Sequence, residues 1–241
     1  MERAGTDIRR GTGDTTLRTP IIVVNLKAYH QTRGEGVLRV ARAIEAVSTE
    51  TGVAFAVAPN AFDIRLLATS TGLPVLAQHV DAVPEGSHTG HLTPEAAREA
   101  GAVGSLVNHS ERRLQVADIE HAISRLRECG LASVVCTNNA RVSRAVAALG
   151  PDFVAVEPPE LIGGDVSVST ARPEVVSDSV RLVRAVDPKV RVLCGAGVKT
   201  GADVRRSIEL GADGVLLASG VTLARDVSAV ARDLALGAGR Q

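Results

Sequence analysis

Short runs of apolar residues alternate with longer amphipathic segments along most of the chain. Each run is rich in Val, Ile, Leu and Ala and is too continuously apolar for an antiparallel strand that has one face in water. Such runs are typical of parallel strands that are buried on both faces. The pattern predicts eight strands, at residues 21–26, 54–59, 74–79, 104–109, 132–137, 153–158, 190–195 and 213–218.

The segments between these strands repeat their apolar positions with the period of a helix, and several end near a glycine. We expect helices at residues 37–48, 117–130, 139–150, 202–212 and 222–236. Residues 110–114, directly after the fourth strand, also resemble the start of a helix.

The regular alternation predicts an α/β protein that is a single (β/α)8 TIM barrel over residues 19–241, with a polar, flexible tail at 1–18. The length suits a barrel, which usually takes ~250 residues. The alternative is an open doubly wound sheet, which usually has a Gly-rich phosphate-binding turn after its first strand. Here that turn reads NLKAYHQ, at 25–31, and we therefore favour the barrel.

The formal charges of the chain cancel, with 27 basic and 27 acidic residues. No overall field therefore attracts nucleic acid or a membrane surface, and an anionic ligand must be held by local geometry. Arginine supplies most of the positive charge, since the lysines are limited to Lys27, Lys189 and Lys199. A function that needs an ammonium group has few candidates in this chain.

The cysteines and histidines indicate neither a disulfide framework nor a metal site. The three cysteines are an odd number and form no CxxC pair. His30, His88, His91 and His121 lack the mutual spacing of metal ligands. No apolar run approaches the ~20 residues that span a bilayer. We predict a protein of the reducing cytoplasm with no metal, no cofactor, no nucleic-acid partner and no membrane contact.

Three residues of catalytic type follow predicted strands, at the end where barrel enzymes hold their active sites. Lys27 comes after the first strand, His109 ends the fourth, and Glu157 lies near the end of the sixth. A histidine at the start of a helix tends to stay neutral, and a poorly hydrated carboxylate suits a general base. Each also has a plain structural interpretation: a surface lysine, a buried structural histidine, and a glutamate paired with an arginine.

Two glycine-containing turns follow the last two strands, CGAGV at 194–198 and LLASG at 216–220. Small residues let backbone amides approach a phosphate closely, and barrels commonly bind phosphate at these strand ends. Together with the polar strand ends, the turns predict a site for a phosphorylated substrate.

These motifs resemble the triosephosphate isomerase family, in particular its compact archaeal-type branch, from about Pro20 to the C-terminus. The resemblance rests on five segments: NLK (25–27), NHSERR (108–113), VEPPELIG (156–163), CGAG (194–197) and LLASG (216–220).

The resemblance implies that Asn25 and Lys27 contact the substrate. It also implies that His109 is the electrophile, Glu157 the base and Glu111 a supporting glutamate. The remaining residues that it assigns to substrate binding are Leu26, Ile162, Gly163, Gly195, Gly197, Ala218 and Ser219.

The activity implied by the resemblance is the interconversion of glyceraldehyde 3-phosphate and dihydroxyacetone phosphate through an enediolate, in glycolysis and gluconeogenesis. The resemblance further implies a homo-oligomer, a dimer or a tetramer, with residues 87–95 as the family's protruding loop. Two alternatives stay open: a barrel paralogue that binds phosphate without isomerase activity, and an aldolase with a Schiff base on Lys27. Asp165 departs from the family pattern and adds an acid to the loop after the sixth strand.

Overall fold

A computed structural model describes residues 17–164 and 167–239. Within these parts, eight parallel strands form one sheet in the order β2-β1-β8-β7-β6-β5-β4-β3. Their bounds are β1 (Ile21–Asn25), β2 (Ala54–Ala58), β3 (Leu76–Ala77), β4 (Gly104–Val107), β5 (Ala132–Thr137), β6 (Phe153–Val156), β7 (Arg191–Gly195) and β8 (Gly214–Leu217).

The two outer strands of this order meet and close the sheet into a barrel. Val57 of β2 forms a parallel bridge with Val75, and the Val57 amide donates a hydrogen bond of 3.0 Å to the carbonyl of Pro74. The predicted (β/α)8 barrel is therefore confirmed, and the open doubly wound sheet is excluded. The third strand, Leu76–Ala77, is shorter than predicted, and Pro74 at the start of the predicted segment has no N–H to donate to a neighbouring strand.

Helices connect the strands, with bounds α1 (Glu35–Thr51), α2 (Ile64–Ser70), α3 (Pro94–Glu99), α4 (Val116–Glu128), α5 (Ala140–Ala147), α6 (Val168–Ala171), α7 (Pro173–Val186), α8 (Gly201–Glu209), α9 (Ser219–Thr222) and α10 (Val227–Ala238). The helix predicted at 222–236 begins at Val227 instead. Asp226 ends the preceding turn, since its side chain accepts a hydrogen bond of 2.9 Å from the Ala229 amide and caps α10.

Alternate residues along each strand face two different cores, as the two-residue period of a strand requires. Ile22 and Val24 pack with the helices in an outer core, whereas Ile21 and Val23 belong to a smaller cluster inside the barrel. Both faces of the strands are buried, which explains their continuous apolar character.

The chain segment before β1 also takes part in the interior cluster. Leu17 is 3% exposed there, and its carbonyl accepts a hydrogen bond of 3.2 Å from Nη1 of Arg191. Residue 17 falls inside the predicted polar tail, and residues 1–16 lie outside the described parts of the chain. Among helices in residues 17–164 and 167–239, none has both the length and the apolar character that crossing a membrane requires.

Candidate active site

The carboxyl ends of three strands carry strained backbone. In the described residues, three positions other than glycine have positive φ: Lys27 (49°), Asn108 (60°) and Ala196 (72°). They follow β1, β4 and β7. Non-glycine residues rarely adopt this conformation, and strain of this kind concentrates at functional sites. The strain therefore marks the same end of the barrel that the sequence predicted for the active site.

A pocket opens at this end of the barrel. The predicted site residues that line it are Asn25, Lys27, His109, Glu157, Ile162, Gly163, Gly197, Ala218 and Ser219. The pocket is also lined by residues of the two turns predicted to bind phosphate, Ala196, Val198, Leu216 and Leu217, and by three residues outside the predicted motifs, Tyr29, Gly164 and Lys199. The structure thus brings residues of five strand ends, β1, β4, β6, β7 and β8, around one cavity.

Glu157 is held at the end of β6, and its side chain is 7% exposed. Its amide donates a hydrogen bond of 2.7 Å to the carbonyl of Thr137 on the neighbouring strand. Its carboxylate oxygen Oε2 is buried and has no hydrogen-bond partner among the described residues. Burial raises the pKa of Glu157 from 4.5 to about 7. This carboxyl group therefore exchanges a proton near neutral pH, as a general base must, and is not the arginine-paired glutamate of the structural alternative.

Gly195 does not line the pocket but makes room for Glu157. A Cβ atom at residue 195 would lie 2.5 Å from Glu157 Cγ and 2.9 Å from its Oε1. Real Cβ atoms do not approach other atoms so closely. The glycine at the end of β7 therefore allows the glutamate side chain to lie across it, a role different from the substrate contact that the sequence predicted.

His109 presents one ring nitrogen to Glu157 and uses the other as an acceptor. Its Nδ1 accepts a hydrogen bond of 3.3 Å from the Glu111 amide. Because a backbone N–H only donates, the neutral ring must carry its proton on Nε2, which lies 3.7 Å from Glu157 Oε2. Burial lowers the pKa of His109, partly opposed by the charge of Glu111. The result is a neutral imidazole whose Nε2–H group can donate a hydrogen bond to a ligand in the pocket.

The helix start predicted at 110–114 is wrong, and α4 begins at Val116. The side chain of Asn108 accepts a hydrogen bond of 2.9 Å from the Leu114 amide and donates one of 3.0 Å to the Cys136 carbonyl. Backbone amides that would donate to carbonyls in a helix donate to side chains here, and the segment forms a turn. His109 is therefore neutral because of burial and the Glu111 amide, and not because of a helix N-terminus.

Lys27 and Glu111 form an ion pair beside the histidine. Lys27 Nζ lies 2.8 Å from Glu111 Oε1, and the lysine side chain is 15% exposed. Glu111 does not line the pocket, although its carboxylate holds Lys27 and its amide holds His109. The supporting role that the resemblance implies for Glu111 stays a prediction.

Asn25 and Gln78 support the strained backbone at Lys27. Asn25 Oδ1 accepts hydrogen bonds from the Lys27 amide at 3.0 Å and from Gln78 Nε2 at 3.3 Å. Gln78 Nε2 also lies 3.0 Å from the Lys27 carbonyl and 2.9 Å from the Ala58 carbonyl. The sequence placed Gln78 at a strand end without assigning it to the site. Its position there was the one available signal.

Leu26, predicted to contact the substrate, points away from the pocket. Its side chain is fully buried in the outer core, and its amide donates a hydrogen bond of 2.9 Å to Ala58. Successive residues of a strand point to opposite faces, so Leu26, which directly follows Asn25, points away from the pocket that Asn25 lines.

The loop after β6 reaches back to the pocket through residues 162–164. A short 3-10 turn, Pro159–Leu161, follows the strand, and Arg172 Nη1 donates a hydrogen bond of 2.6 Å to Glu160 Oε1 on this turn. Ile162 and Gly163 then line the pocket. Asp165, the residue that departs from the family pattern, lies outside the described residues.

No group of three or more His, Cys, Asp or Glu side chains in residues 17–164 and 167–239 has the arrangement of a metal site. The side chains of the pocket include a carboxyl group with a pKa near neutrality, an imidazole and two lysines. Such a set suits proton transfer on a small anionic substrate.

Comparison with known proteins points to one family. The sequence model of the family described as "Triosephosphate isomerase" matches residues 20–234. The chain is 54% identical over 207 residues to the triosephosphate isomerase of Methanothermus fervidus, covering 86% of this chain and 93% of the relative. It is 55% identical over 206 residues to that of Methanothermobacter thermautotrophicus, covering 86% and 90%. For the triosephosphate isomerase of Methanosarcina barkeri the identity is 51% over 215 residues, covering 89% and 97%. This chain belongs to the triosephosphate isomerase family.

Proposed function

We propose that this protein interconverts glyceraldehyde 3-phosphate and dihydroxyacetone phosphate with Glu157 as the catalytic base and His109 as the electrophile. One observation carries the assignment: the unpartnered Oε2 of Glu157 lies 3.7 Å from His109 Nε2 in the pocket that Lys27 also lines. A base, a neutral donor and a cation are thereby directed at one small volume.

The steps are those of the family, applied to the residues of this chain. Glu157 removes a proton from the carbon next to the substrate carbonyl, and the electron pair moves to the carbonyl oxygen to form an enediolate. His109 donates its Nε2 proton to that oxygen and takes up the proton of the neighbouring hydroxyl group, so that one proton passes from one oxygen to the other. Glu157 then returns its proton to the former carbonyl carbon, and the former hydroxyl oxygen becomes the new carbonyl oxygen. Lys27 lowers the energy of the negative charge that develops, because a cation in a site of restricted hydration acts strongly.

Asn25 and Glu111 act on the position of these groups. Asn25 holds the Lys27 amide, and Glu111 holds both the ammonium of Lys27 and Nδ1 of His109. On the opposite side of the pocket, Gly197, Ala218 and Ser219 receive the phosphate through their backbone. Ile162 and Gly163 cover it, because excluding water protects the enediolate from losing phosphate.

A coupled assay tests the activity directly. The purified protein is mixed with glyceraldehyde 3-phosphate and a reductase that consumes dihydroxyacetone phosphate with NADH. We expect turnover that Glu157→Gln abolishes and that Glu120→Gln, the same change at an exposed residue of α4, leaves intact. No turnover above buffer would contradict the proposal.

The two alternatives give different results in the same preparation. A paralogue without activity would bind phosphoglycolate, a mimic of the enediolate, and fail the assay. A Schiff-base aldolase would form a covalent adduct on Lys27 after borohydride reduction with a keto substrate. The described contacts do not favour the aldolase, since Lys27 Nζ is engaged with Glu111 and a Schiff base requires a neutral amine.

The same reasoning extends to assembly and cellular location. Two hydrogen bonds close the base of the loop between β3 and α3. The Asp81 amide donates one of 2.8 Å to the Leu92 carbonyl, and the Leu92 amide donates one of 2.7 Å to Asp81 Oδ2. We assign a homo-oligomer, a dimer or a tetramer, in which this loop meets a second copy. Light scattering coupled to gel filtration measures the mass of the particle in solution, and a monomer at micromolar concentration would contradict the assembly.

The cysteines bear on cellular location. All three are free and buried, which suits the reducing cytoplasm.

A further inference from the structure

Asn108 lies between the last residue of β4 and His109. It is 6% exposed and does not line the pocket, so its contacts are with the protein and not with a ligand. Its φ of 60° turns the chain out of the strand, in a conformation that asparagine adopts more readily than most residues. The motif NHSERR begins with Asn108, yet the sequence analysis assigned it no role.

We propose that Asn108 is a positioning residue for the isomerase reaction: its side chain fixes the place of His109 relative to Glu157. This inference rests on the proposed function for the identity of the reaction. It goes further because it assigns the spacing of the two catalytic groups to a residue that lies outside the pocket.

The side-chain amide of Asn108 joins the ends of β4 and β5. The backbone pairing of these strands ends where Val107 lies opposite Val135. One residue further on, Asn108 Nδ2 donates a buried hydrogen bond of 3.0 Å to the Cys136 carbonyl. The side chain thus continues the connection between the two strands beyond the point at which the backbone of β4 turns away.

The strand that Asn108 reaches also holds the backbone of the catalytic base. β5 lies between β4 and β6 in the sheet. The carbonyl of Thr137, the residue after Cys136, accepts a hydrogen bond of 2.7 Å from the Glu157 amide. Two hydrogen bonds therefore connect the residue before His109 to Glu157, and they support the separation of 3.7 Å between His109 Nε2 and Glu157 Oε2.

Asn108 also closes the turn that follows His109. Its side-chain oxygen Oδ1 accepts a hydrogen bond of 2.9 Å from the Leu114 amide, and Arg113 Nη1 donates one of 3.2 Å to its main-chain carbonyl. The Glu111 amide, which donates to Nδ1 of His109, belongs to this turn. Asn108 therefore acts on the position of the ring proton as well as on the place of the ring.

Steady-state kinetics of Asn108→Gly test the proposal. Glycine adopts a positive φ without strain, so this change removes the side-chain contacts while the backbone conformation stays accessible. We expect kcat to fall about tenfold or more, because a catalytic group displaced by about 1 Å can cost ~10²-fold. We expect KM to change less than about twofold, since Asn108 does not contact the substrate.

The matched control is Asn60→Gly, which changes another asparagine that holds a turn after a strand. Asn60 follows β2, and its side chain accepts a hydrogen bond of 3.0 Å from the Phe62 amide. It does not line the pocket, and we expect wild-type kcat and KM in this variant.

Nitrogen-15 NMR of the histidine rings gives a readout that a loss of stability alone would not change. In the wild-type protein we expect one neutral tautomer of His109, with the proton on Nε2. In Asn108→Gly we expect the tautomer with the proton on Nδ1 to appear as well, because the Glu111 amide is no longer held against that nitrogen. His109→Gln identifies the signal, and Asn60→Gly is expected to keep the single tautomer.

Wild-type kcat in Asn108→Gly would overturn the proposal. A loss of activity that only follows the unfolded fraction, measured by urea denaturation, would overturn it too. An inactive wild-type protein would instead refute the proposed function. The ring tautomer would then decide whether Asn108 positions His109, and a single unchanged tautomer in Asn108→Gly would refute that role.

Asn108→Asp replaces Asn108→Gly if the glycine variant does not fold, as judged by circular dichroism. It keeps an acceptor for the Leu114 amide and places an oxygen where Nδ2 donated to Cys136. Its kcat is measured well above pH 7, where Glu157 is ionised. We expect the same fall of about tenfold or more, and wild-type kcat would overturn the proposal.

Discussion

The side-chain amide of Gln78 lies 3.0 Å from the carbonyl oxygen of Lys27, to which it donates a hydrogen bond. Lys27 holds a φ of 49°, which costs on the order of 1–3 kcal/mol for a residue with a side chain. Gln78 also reaches Asn25 Oδ1 and the Ala58 carbonyl with the same nitrogen. One side-chain amide, directly after β3, therefore stabilises the strained turn that directs Lys27 into the pocket.

Removing this amide is expected to lower catalysis through the position of Lys27. We predict that Gln78→Ala reduces kcat/KM about tenfold and the free energy of unfolding by about 1–3 kcal/mol, since buried acceptors lose their donor. Steady-state kinetics and urea denaturation measure the two effects. Gln115→Ala, at an exposed glutamine, is the control. If Gln78→Ala kept the kinetics of the wild type, Gln78 would not be needed to hold the turn at Lys27.

The pH dependence of kcat/KM is expected to report the titration of Glu157. The base must be ionised, and its pKa is raised to about 7. We therefore predict that kcat/KM falls about tenfold per pH unit below pH 7. The second ionisation of the substrate phosphate lies near 6, so the carboxyl carbon of Glu157 should also be titrated by carbon-13 NMR, with Glu157→Gln to assign the signal. A titration midpoint near pH 4.5 would show that Glu157 is an ordinary, hydrated carboxyl group and would contradict the raised pKa.

The same shift has a consequence for stability. The pKa of Glu157 in the folded protein, about 7, lies above its ordinary value of 4.5, so the carboxyl group favours folding most below pH 4.5 and loses this contribution as the pH rises through 7. We predict that Glu157→Gln gains stability relative to wild type between pH 4 and pH 8, by on the order of 3 kcal/mol. Urea denaturation at both pH values measures the change. A difference between the two proteins that is independent of pH would contradict the shift.

A methyl group at residue 195 is expected to displace the catalytic glutamate. The Cβ atom of Gly195→Ala would lie 2.5 Å from Glu157 Cγ. Because a shift of about 1 Å in a catalytic group can cost ~10²-fold, we predict that kcat falls by about this factor with a smaller change in KM. The control is Gly239→Ala, whose Cβ atom would approach its nearest neighbour no closer than 3.6 Å. An unchanged kcat would mean that Glu157 does not need the space above Gly195.

Much of the fold and the centre of the site were predictable from local patterns. The alternation of buried strands with helices predicted the barrel, and the strand ends predicted the region around Lys27, His109 and Glu157. The segment 110–114 was misread because its polar residues suit the first turn of a helix, whereas the side chains of Asn108 and His109 take the amides.

Other members of the site depend on the paths of loops. Tyr29 and Lys199 line the pocket, yet neither lies in a motif that the sequence analysis selected. Leu26 and Gly195 do lie in such motifs, and they face the outer core and the Glu157 side chain instead. The distance of a residue from a strand end is a weak guide to where its side chain points, because neighbouring residues along a strand point to opposite faces.

The sequence by itself determined the class of fold, the end of the barrel that carries the site and the residue types available there. These follow from the periodicity of each segment and from the alternation of strands and helices along the chain, both of which can be read from the sequence. The tertiary structure decided the chemistry of each group. The raised pKa of Glu157 comes from burial, and the proton on His109 Nε2 follows from the Glu111 amide at Nδ1. Proton affinity depends on the neighbours and the hydration that a group acquires only when the chain folds.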